Sequence, residues 1–396
     1  MDHAIDLFLD QNIRRNPYPI YAELRQNRPV CQVEPDGIWV VARHADVLRL
    51  ARDTSSFSSS GFGVIMSPPT IGHNPVAESI LVLDPPHHTQ LRSLVSRAFT
   101  PRNMARLEGR VTAVASELSE RLREMGDADV VAELAGPLPA RIIAEILGLD
   151  PELHREFKRW GEHLAAVTPR TQEPLASAIR STIGDMNRYF REVIAARRRS
   201  PREDIVTDLT RAEIGGVKLT DVQITSFLFL LLTGGFETTV NLIAHALMIL
   251  ADRPQDHDRL RADPSMIPAF IEEVLRFEPP LHGLPRMTTT DVMVGGQFIP
   301  ARSLIVGLIG SANRDESVYV QPEVFDMDRE SQGAMAFGHG IHFCLGAALA
   351  RLEGRITLAA MISRFRRVKR LPGEVSYTCA ISLRGPISVP MRFIPA

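Results

Sequence analysis

Apolar residues recur along much of the chain at the spacing of an amphipathic helix. Polar and proline-bearing stretches interrupt this pattern, so separate helices are expected. The longest periodic segment has Thr220 as a candidate N-cap and Pro254 just beyond its end. The pattern predicts helices over residues 15–27, 44–53, 113–125, 139–149, 151–164, 176–199 and 219–252.

Short runs of β-branched and aromatic residues predict a few strands. Residues 29–43 are expected to form one hairpin, and residues 288–300 a second hairpin that turns at Gly295-Gly296. Residues 303–309 are expected to form a further strand. Residues 54–80 have no clear period and are rich in Ser, Gly and Pro. They are predicted to form a long loop, either functional or a plain surface loop.

Composition narrows the class of protein. Of the 396 residues 44% are hydrophobic, enough for a large core, and a net charge of −2 does not suggest a nucleic-acid binder. Three cysteines are too few for a disulfide framework, which fits a reducing compartment. No secretory signal pattern is present at the N-terminus, and the longest strongly apolar run, Phe227–Leu232, is far short of the ~20 residues of a membrane span. The expectation is a soluble cytoplasmic protein.

A glycine-rich stretch around one cysteine, which we call the cysteine loop (Phe337–Gly346), directly precedes an alanine-rich helical run. Cys344 would lie at the mouth of that helix, where the dipole and unpaired N–H groups favour a thiolate. Such a thiolate suits a ligand for a redox metal. The alternatives are a buried structural cysteine and a zinc site with His339 and His342. Zinc fits poorly, because no Cys/His cluster supplies a fourth ligand.

The centre of the longest predicted helix carries paired glycines, then an acid and an alcohol. Each glycine costs ~1 kcal/mol in a helix interior, so another interaction should offset the loss at Gly234-Gly235. Close helix packing is one explanation. The other is a groove where a ligand meets the backbone, with Thr238 opening the helix through its hydroxyl. Glu237 and Thr238, joined through water, could relay protons.

Two charged pairs share helical faces elsewhere. His88 and Arg92 are four residues apart, and Glu273 and Arg276 are three apart. Spacing alone indicates solvated surface pairs, of which most are worth under ~1 kcal/mol.

The cysteine loop resembles, position by position, the haem-binding loop of the cytochrome P450 family in its bacterial form, through Phe337, Gly338, Gly340, His342, Cys344 and Gly346. Residues 233–239 resemble the family's small-Gly-x-acid-Thr motif, with Gly234 where alanine is commoner. The resemblance covers nearly the whole chain. It implies a mainly α fold with small β-sheets (α+β), with haem between a long central helix and the cysteine loop. It also implies a single domain over residues 1–396 without a fused reductase.

The resemblance also implies roles for individual residues. Cys344 is the expected axial thiolate of haem b iron, and Glu237 and Thr238 are expected to support proton delivery to dioxygen. The acid–arginine pair at Glu273, with Arg329, is implied to form a buried network that supports the loop. The expected haem-binding residues are His88, Arg92, Arg286, Phe337, His342, Cys344 and Gly346. The expected substrate-facing residues are Phe62, Ile65, Leu230, Thr233, Gly234, His282, Leu284, Ile381 and Ser382.

The implied activity is that of a haem-thiolate monooxygenase, inserting one oxygen atom from O2 into a hydrophobic terpenoid, steroid, fatty acid or polyketide-like molecule. The chain has no nucleotide-binding fingerprint, so electrons are expected from a separate ferredoxin and its reductase. Arg92, Arg97, Arg351 and Arg355 are candidates for the docking face, with solvated charges as the alternative. The remaining alternatives are a peroxygenase, a non-redox isomerase or dehydratase, and a haem sensor, the last disfavoured by the acid–alcohol pair. A monomer is the family default.

Overall fold

Helices form most of the regular structure in the computed structural model, which describes residues 6–33, 37–96, 101–149, 153–214, 216–329 and 333–396. The mainly α fold with small sheets is confirmed. The α-helices of the described residues are α1 (Gln11–Arg15), α2 (Tyr18–Asn27), α3 (His44–Arg52), α4 (Ser60–Met66), α5 (His87–Ser96), α6 (Pro101–Met125), α7 (Pro137–Ile146), α8 (His154–Ala165), α9 (Leu175–Arg199), α10 (Ile205–Arg211), α11 (Asp221–Asp252), α12 (Pro254–Ala262), α13 (Ile267–Phe277), α14 (Ile309–Ala312) and α15 (Ala347–Arg364).

The strands are short, from two to six residues each. In the described ranges they are β1 (Val30–Val33), β2 (Ile38–Val41), β3 (Phe57–Ser58), β4 (Asp127–Asp129), β5 (Glu213–Ile214), β6 (Val217–Lys218), β7 (Gly283–Thr288), β8 (Val292–Val294), β9 (Gln297–Ile299), β10 (Leu304–Leu308), β11 (Phe365–Arg370) and β12 (Pro390–Pro395). They form a sheet in the order β1-β2-β10-β7-β3, a sheet β11-β12-β4, and the pairs β5-β6 and β8-β9. The β8-β9 hairpin turns at Gly295-Gly296 as predicted, at φ values of 54° and 82° that favour glycine.

The long helix α11 runs through the largest hydrophobic cluster. A capping box closes its first turn: the Gln223 N–H donates to the Thr220 hydroxyl oxygen at 3.2 Å, and the Thr220 N–H donates to the Gln223 side chain at 2.9 Å. The predicted N-cap is therefore confirmed. By length and composition α11 could cross a membrane, yet 67% of its most apolar 18-residue stretch is buried inside the protein, as in a core helix.

The segment 54–80 is more regular than its sequence pattern predicts. It contains β3, α4 and a 3-10 turn, so the expectation of one long loop is wrong. A Cβ on Gly61 of α4 would lie 2.5 Å from the carbonyl carbon of Arg286 in β7, so only glycine allows this approach. Phe62 and Ile65 are buried on the same helix. Packing against distant residues stabilises α4, and such packing cannot be recognised from the local hydrophobic pattern.

A buried ion-pair network connects α13 to the cysteine loop. Arg276 donates to both carboxylate oxygens of Glu273, at 2.7 and 2.8 Å, and Arg329 adds the predicted third contact at 3.3 Å. The Arg276 guanidinium also donates to the carbonyl oxygen of Asn313 at 2.9 Å. The Asn313 side-chain oxygen in turn accepts the N–H of Met335 at 2.8 Å. Met335 lies two residues before the cysteine loop, so the network fixes the start of that loop.

Candidate functional site

The cysteine loop folds into a tight turn against α3. The N–H of Cys344 donates to the carbonyl oxygen of Phe337 at 2.9 Å, which closes the loop. Gly338 and Gly340 both have a φ of 68°. A Cβ on Gly340 would also lie 2.7 Å from the carbonyl oxygen of Ala51. Glycine is therefore required at these two positions by backbone conformation.

The thiol of Cys344 stands just before the first turn of α15. Burial raises the pKa of this thiol, whereas the N–H of Gly346 and the guanidinium groups of Arg92 and Arg351 act in the opposite direction. A coordinating metal deprotonates a thiol outright. The same three groups would then stabilise the negative charge on sulfur.

The alternative of a zinc site does not fit the structure. Over the described ranges, no group of three or more His, Cys, Asp or Glu side chains is placed to hold a metal ion. The ring of His339 contacts the Arg52 guanidinium at 3.0 and 3.2 Å. The Nε2 atom of His342 lies 2.8 Å from the hydroxyl of Ser59. Both neighbouring histidines thus have partners other than the cysteine sulfur.

Four nitrogen-bearing side chains converge beside the cysteine loop, and we call them the basic cluster: His88, Arg92, Arg286 and His342. The rings of His88 and His342 lie 4.2 Å apart. Burial, followed by the charge of Arg286 and the proximity of His88 and Arg92, lowers the pKa of His342 to about 3. Burial also lowers the pKa of Arg286 to about 10, which leaves this guanidinium charged at neutral pH. At neutral pH the positive charge of the cluster is therefore carried by Arg286, which is buried, and by Arg92, which is partly exposed.

The basic cluster has no acidic partner within ion-pair distance among the residues that the structure describes. Arg286 is 2% exposed and donates to the carbonyl oxygen of Pro285 at 2.8 Å. Both ring nitrogens of the buried His88 lack a hydrogen-bond partner. Buried donors and charges of this kind require an acceptor. Haem propionate carboxylates are acceptors of the right chemistry, so the cluster and Cys344 together fit a haem.

One face of α11 is less buried than the rest of this helix. Leu230, Gly234 and Thr238 recur on it at every fourth position, with Thr233 beside them. The hydroxyl of Thr238 donates to the carbonyl oxygen of Gly234 at 2.5 Å. The segment is α-helical throughout, so the helix is not opened at Thr238.

The two glycines of α11 have different roles, and these match the two explanations given above, close helix packing and a groove for a ligand. A Cβ on Gly235 would lie 3.1 Å from the side chain of Ile143, so this glycine permits close packing of α7. A Cβ on Gly234 would meet Leu230 alone, at 3.9 Å. The first glycine therefore leaves room beside Thr238 for a ligand.

Glu237 lies at the edge of the less buried face and is 9% exposed. Burial raises the pKa of its carboxyl to about 7, with Glu162 of α8 acting in the same direction and Lys158 of α8 against it. A carboxyl with this pKa can donate and recover a proton near neutral pH. Glu237 is thus chemically suited to a proton relay next to Thr238.

Besides the positions on α11, four of the expected substrate-facing residues belong to two hydrophobic clusters. Phe62 and Leu284 belong to one hydrophobic cluster, and Ile65 and Ile381 to another. Leu284 and Arg286 project from the same face of β7, because side chains alternate along a strand. This alternation directs Leu284 towards the side of the sheet that carries the basic cluster.

The side chain of His282 does not fit its expected role at the substrate. Its ring packs 6.1 Å from the ring of Tyr18 and 6.0 Å from that of Tyr21, and is 1% exposed. A Cβ on Gly310 would lie 2.8 Å from this ring. The imidazole therefore fills space between α14 and α2, and burial places its pKa well below the usual value.

Sequence reasoning missed two residues that shape the basic cluster. The hydroxyl of Ser59 lies 2.8 Å from His342, and the N–H of Ser59 donates to Asp84 at 2.9 Å. Asp84 also acts against the lowered pKa of Arg286, from beyond ion-pair distance. The sequence signal for Asp84 was its position before Pro85-Pro86 and α5; nothing local marks Ser59.

Known proteins resemble this chain over most of its length. The family model described as Cytochrome P450 matches residues 38–374. The chain is 40% identical over 350 residues to the erythromycin C-12 hydroxylase of Saccharopolyspora erythraea, covering 87% of this chain and 86% of the relative.

Solved structures show the same fold. Cytochrome P450 CYP109Q5 from Chondromyces apiculatus has a TM-score of 0.90 at 39% identity, with 97% of both chains covered. CYP109E1 from Bacillus megaterium in complex with testosterone has a TM-score of 0.85 at 34% identity, covering 96% of this chain and 99% of that one. The chain therefore belongs to the cytochrome P450 family, whose members bind haem and act as monooxygenases.

Proposed function

We propose that this monooxygenase holds haem b through the thiolate of Cys344 and the basic cluster, and oxidises a hydrophobic small molecule. The observation that carries the proposal is the basic cluster, whose buried members His88 and Arg286 have no acidic partner among the described residues, next to a cysteine at the start of α15. Thiolate-ligated haem supplies the activation of dioxygen. The chain supplies the ligand, the pocket and the protons.

The protons are the part of the chemistry that α11 provides. Glu237 holds a proton near neutral pH, because burial raises the pKa of its carboxyl to about 7. The Thr238 hydroxyl donates to the Gly234 carbonyl oxygen and keeps its lone pairs free to accept. Gly234 leaves space beside this hydroxyl. In this proposal the proton passes from Glu237 through water to Thr238 on the less buried face of α11.

The proposed substrate is a hydrophobic molecule of steroid or macrolide size with few polar groups. The proposed lining is mainly apolar and comprises Phe62, Ile65, Leu230, Leu284 and Ile381, with Thr233 and Ser382 as polar positions. One relative is named for a hydroxylation of erythromycin, and the CYP109E1 structure contains testosterone. An apolar wall with few polar positions suits molecules of this kind.

The carbon-monoxide difference spectrum of the reduced protein tests the haem ligand. We expect a thiolate-type Soret band in the wild-type protein and its loss in Cys344→Ala, because the sulfur no longer reaches iron. Cys379→Ala is the matched control and should keep the band, since the Cys379 sulfur bonds to Gln11 and Leu9. A thiolate-type band that survives in Cys344→Ala would overturn the proposal.

We further propose that residues 1–396 act as a single domain whose electrons come from a separate acidic ferredoxin. A surface cavity of about 480 Å³ opens over Phe343, Cys344 and Arg355, next to the sulfur. Arg351 at its edge is paired with Glu272 at 2.6 and 2.9 Å, and Arg92 donates to the Phe343 carbonyl oxygen at 2.7 Å. Arg355 is exposed and is the stronger docking candidate. Arg97, also expected on this face, lies outside the described residues.

Reversing the charge of Arg355 tests this docking face. We expect Arg355→Glu to slow haem reduction by an acidic ferredoxin about tenfold at low salt, because the substitution repels the partner. The difference should shrink at high salt, where screening weakens the attraction. Stopped-flow reduction under carbon monoxide measures the rate.

The matched control is Arg366→Glu, which makes the same charge change at the other end of α15, on the exposed side of β11. Its reduction rate should equal that of the wild type. Equal rates for Arg355→Glu and wild type at low salt would exclude docking at Arg355.

A further inference from the structure

Arg14 and Arg384 are buried and far apart in sequence, and the side chain of each donates hydrogen bonds to backbone carbonyl oxygens in the segment of the other. We call this pair the arginine clasp. The Arg14 side chain donates from Nε to the carbonyl oxygen of Thr378 at 3.1 Å, and from Nη2 to that of Leu383. The Arg384 side chain donates from Nε to the carbonyl oxygen of Arg14 at 2.7 Å, and from Nη2 to that of Arg15 at 2.9 Å. The contacts are reciprocal, so α1 and residues 378–384 are held in one register.

The positive charge of Arg14 does not stabilise the folded protein. Arg384 pairs with Glu278, whose carboxylate also accepts the hydroxyl of Tyr18 at 2.9 Å. Arg14 is 1% exposed and, among the described residues, makes no ion pair; the groups that accept its hydrogen bonds are carbonyl oxygens. Burying a cation without a carboxylate is unfavourable compared with an apolar side chain. The guanidinium contributes geometry instead, because its planar fork bridges two carbonyl oxygens that stand five residues apart.

The turn between those two carbonyl oxygens contains Ile381 and Ser382. On its far side, the Ser382 carbonyl oxygen accepts the N–H of His282 at 2.7 Å and that of Gly283 at 3.2 Å. A Cβ on Gly283 would lie 2.3 Å from the carbonyl oxygen of Ile381, so the turn lies directly on the start of β7. The turn is therefore bound by hydrogen bonds from the arginine clasp on one side and from His282 and Gly283 on the other.

This turn borders the candidate site through the residues just before β7. Leu383, at the end of the turn, pairs with Leu281 in an isolated antiparallel bridge, and Leu281 packs against the hydrophobic cluster that contains Phe62 and Leu284. Leu284 projects from the face of β7 that also carries Arg286 of the basic cluster. A shift of the turn therefore changes the wall of the proposed pocket.

We propose that the arginine clasp is a positioning element that sets where Ile381 and Ser382 stand in the pocket, and so determines which ligands fit; this inference rests on the proposed function. The clasp touches neither the haem ligand nor the proton relay. Its loss should change selectivity among ligands and leave the thiolate–CO band in place.

The main test variant is Arg14→Lys, which keeps the charge and removes the fork. Arg15→Lys is the matched control, because Arg15 is the next residue and its exposed side chain pairs with Glu374 at the surface. Arg14→Met is a second variant that removes both charge and fork. Hydrogen exchange of the amides of Thr378, Arg384 and Gly385 reports the turn itself, with or without haem. We expect about tenfold faster exchange in both Arg14 variants and no change in Arg15→Lys.

Ligand binding to the haem-loaded protein then distinguishes a change in the position of Ile381 and Ser382 from a general loss of rigidity in the protein. Imidazole is small and is expected to bind iron with few contacts to the pocket wall, whereas the phenyl ring of 4-phenylimidazole is expected to extend towards that wall. We expect the Kd for 4-phenylimidazole to change about fivefold in Arg14→Lys. The Kd for imidazole and the thiolate–CO band should stay as in wild type.

Each outcome decides. Unchanged amide exchange in Arg14→Lys shows that the fork does not hold the turn, and overturns the inference. Faster exchange with both dissociation constants unchanged shows a purely structural clasp, and also overturns it. Wild-type protein that binds neither imidazole nor 4-phenylimidazole through iron refutes the proposed function instead, while the exchange data still report on the clasp.

Discussion

Arg276→Met should destabilise the folded protein by about 3–5 kcal/mol, the range for removing one partner of a buried ion pair. Arg276 and Glu273 both have 0% side-chain exposure. Without Arg276, the Glu273 carboxylate keeps Arg329 at 3.3 Å and the N–H of Asp326 at 2.9 Å, which cannot replace a bidentate arginine. The Asn313 carbonyl oxygen loses a donor as well. Urea unfolding of the haem-loaded protein, followed by circular dichroism, measures the free energy of unfolding.

Arg259→Met is the control for this experiment. The Nη2 atom of Arg259 donates to both carboxylate oxygens of Asp328, at 2.8 and 2.9 Å, but both side chains are exposed. Exposed pairs contribute at most ~1 kcal/mol, so the control should lose less than that. If Arg276→Met were no less stable than Arg259→Met, the buried network would not stabilise the fold. The thiolate–CO band should be lost at the same urea concentration as the circular dichroism signal. Asn313 connects the ion-pair network to Met335, just before the cysteine loop.

Glu237→Gln should lower the rate of product formation by about 100-fold, in the range of lost general acid catalysis. The amide has the shape of the acid but does not deliver its proton. Haem reduction should proceed at the wild-type rate, and the reducing equivalents should appear as peroxide or water instead of product. A steroid or macrolide that shifts the wild-type spin state is the assay substrate. Full coupling in the Gln variant would remove Glu237 from the relay.

The same carboxyl should give turnover a dependence on pH with a defined sign. The protonated form is the donor, and burial raises the pKa to about 7, so turnover should hold below pH 7 and fall above it. Glu162→Gln removes a negative charge that raises this pKa, and should move the midpoint to lower pH. Lys158→Met removes a positive charge that lowers it, and should move the midpoint to higher pH. Opposite shifts from neighbouring residues on α8 would identify Glu237 as the titrating group.

The parts of the structure that could be predicted have local signals. The cap at Thr220 depends on a side chain and an N–H three residues apart, and both appear in the sequence together. The turn at Gly295-Gly296 is marked by glycine alone. The cysteine loop carries its glycines and its cysteine within ten residues, which is why its resemblance to a family is specific.

The parts that could not be predicted depend on contacts between distant segments. The helix α4 packs with Gly61 directly on the backbone of Arg286. The hydrophobic pattern of residues 60–66 does not predict this helix. The ring of His282 was expected at the substrate, but Tyr18 and Tyr21 of α2 hold it in buried packing. Burial of a side chain by a remote element leaves no trace in local spacing, so these errors share one cause.

The reciprocal contacts of Arg14 and Arg384 also bear on how this chain reaches its folded state. Arg14 and Thr378 are 364 positions apart, and closing a loop of that length costs on the order of 5 kcal/mol of chain entropy. Such contacts form after the intervening helices have collapsed, since those helices shorten the distance to be spanned. The turn at Ile381 and Ser382 should therefore order last during refolding. Protease cleavage within residues 379–382 should persist in refolding mixtures after the helical circular dichroism has recovered.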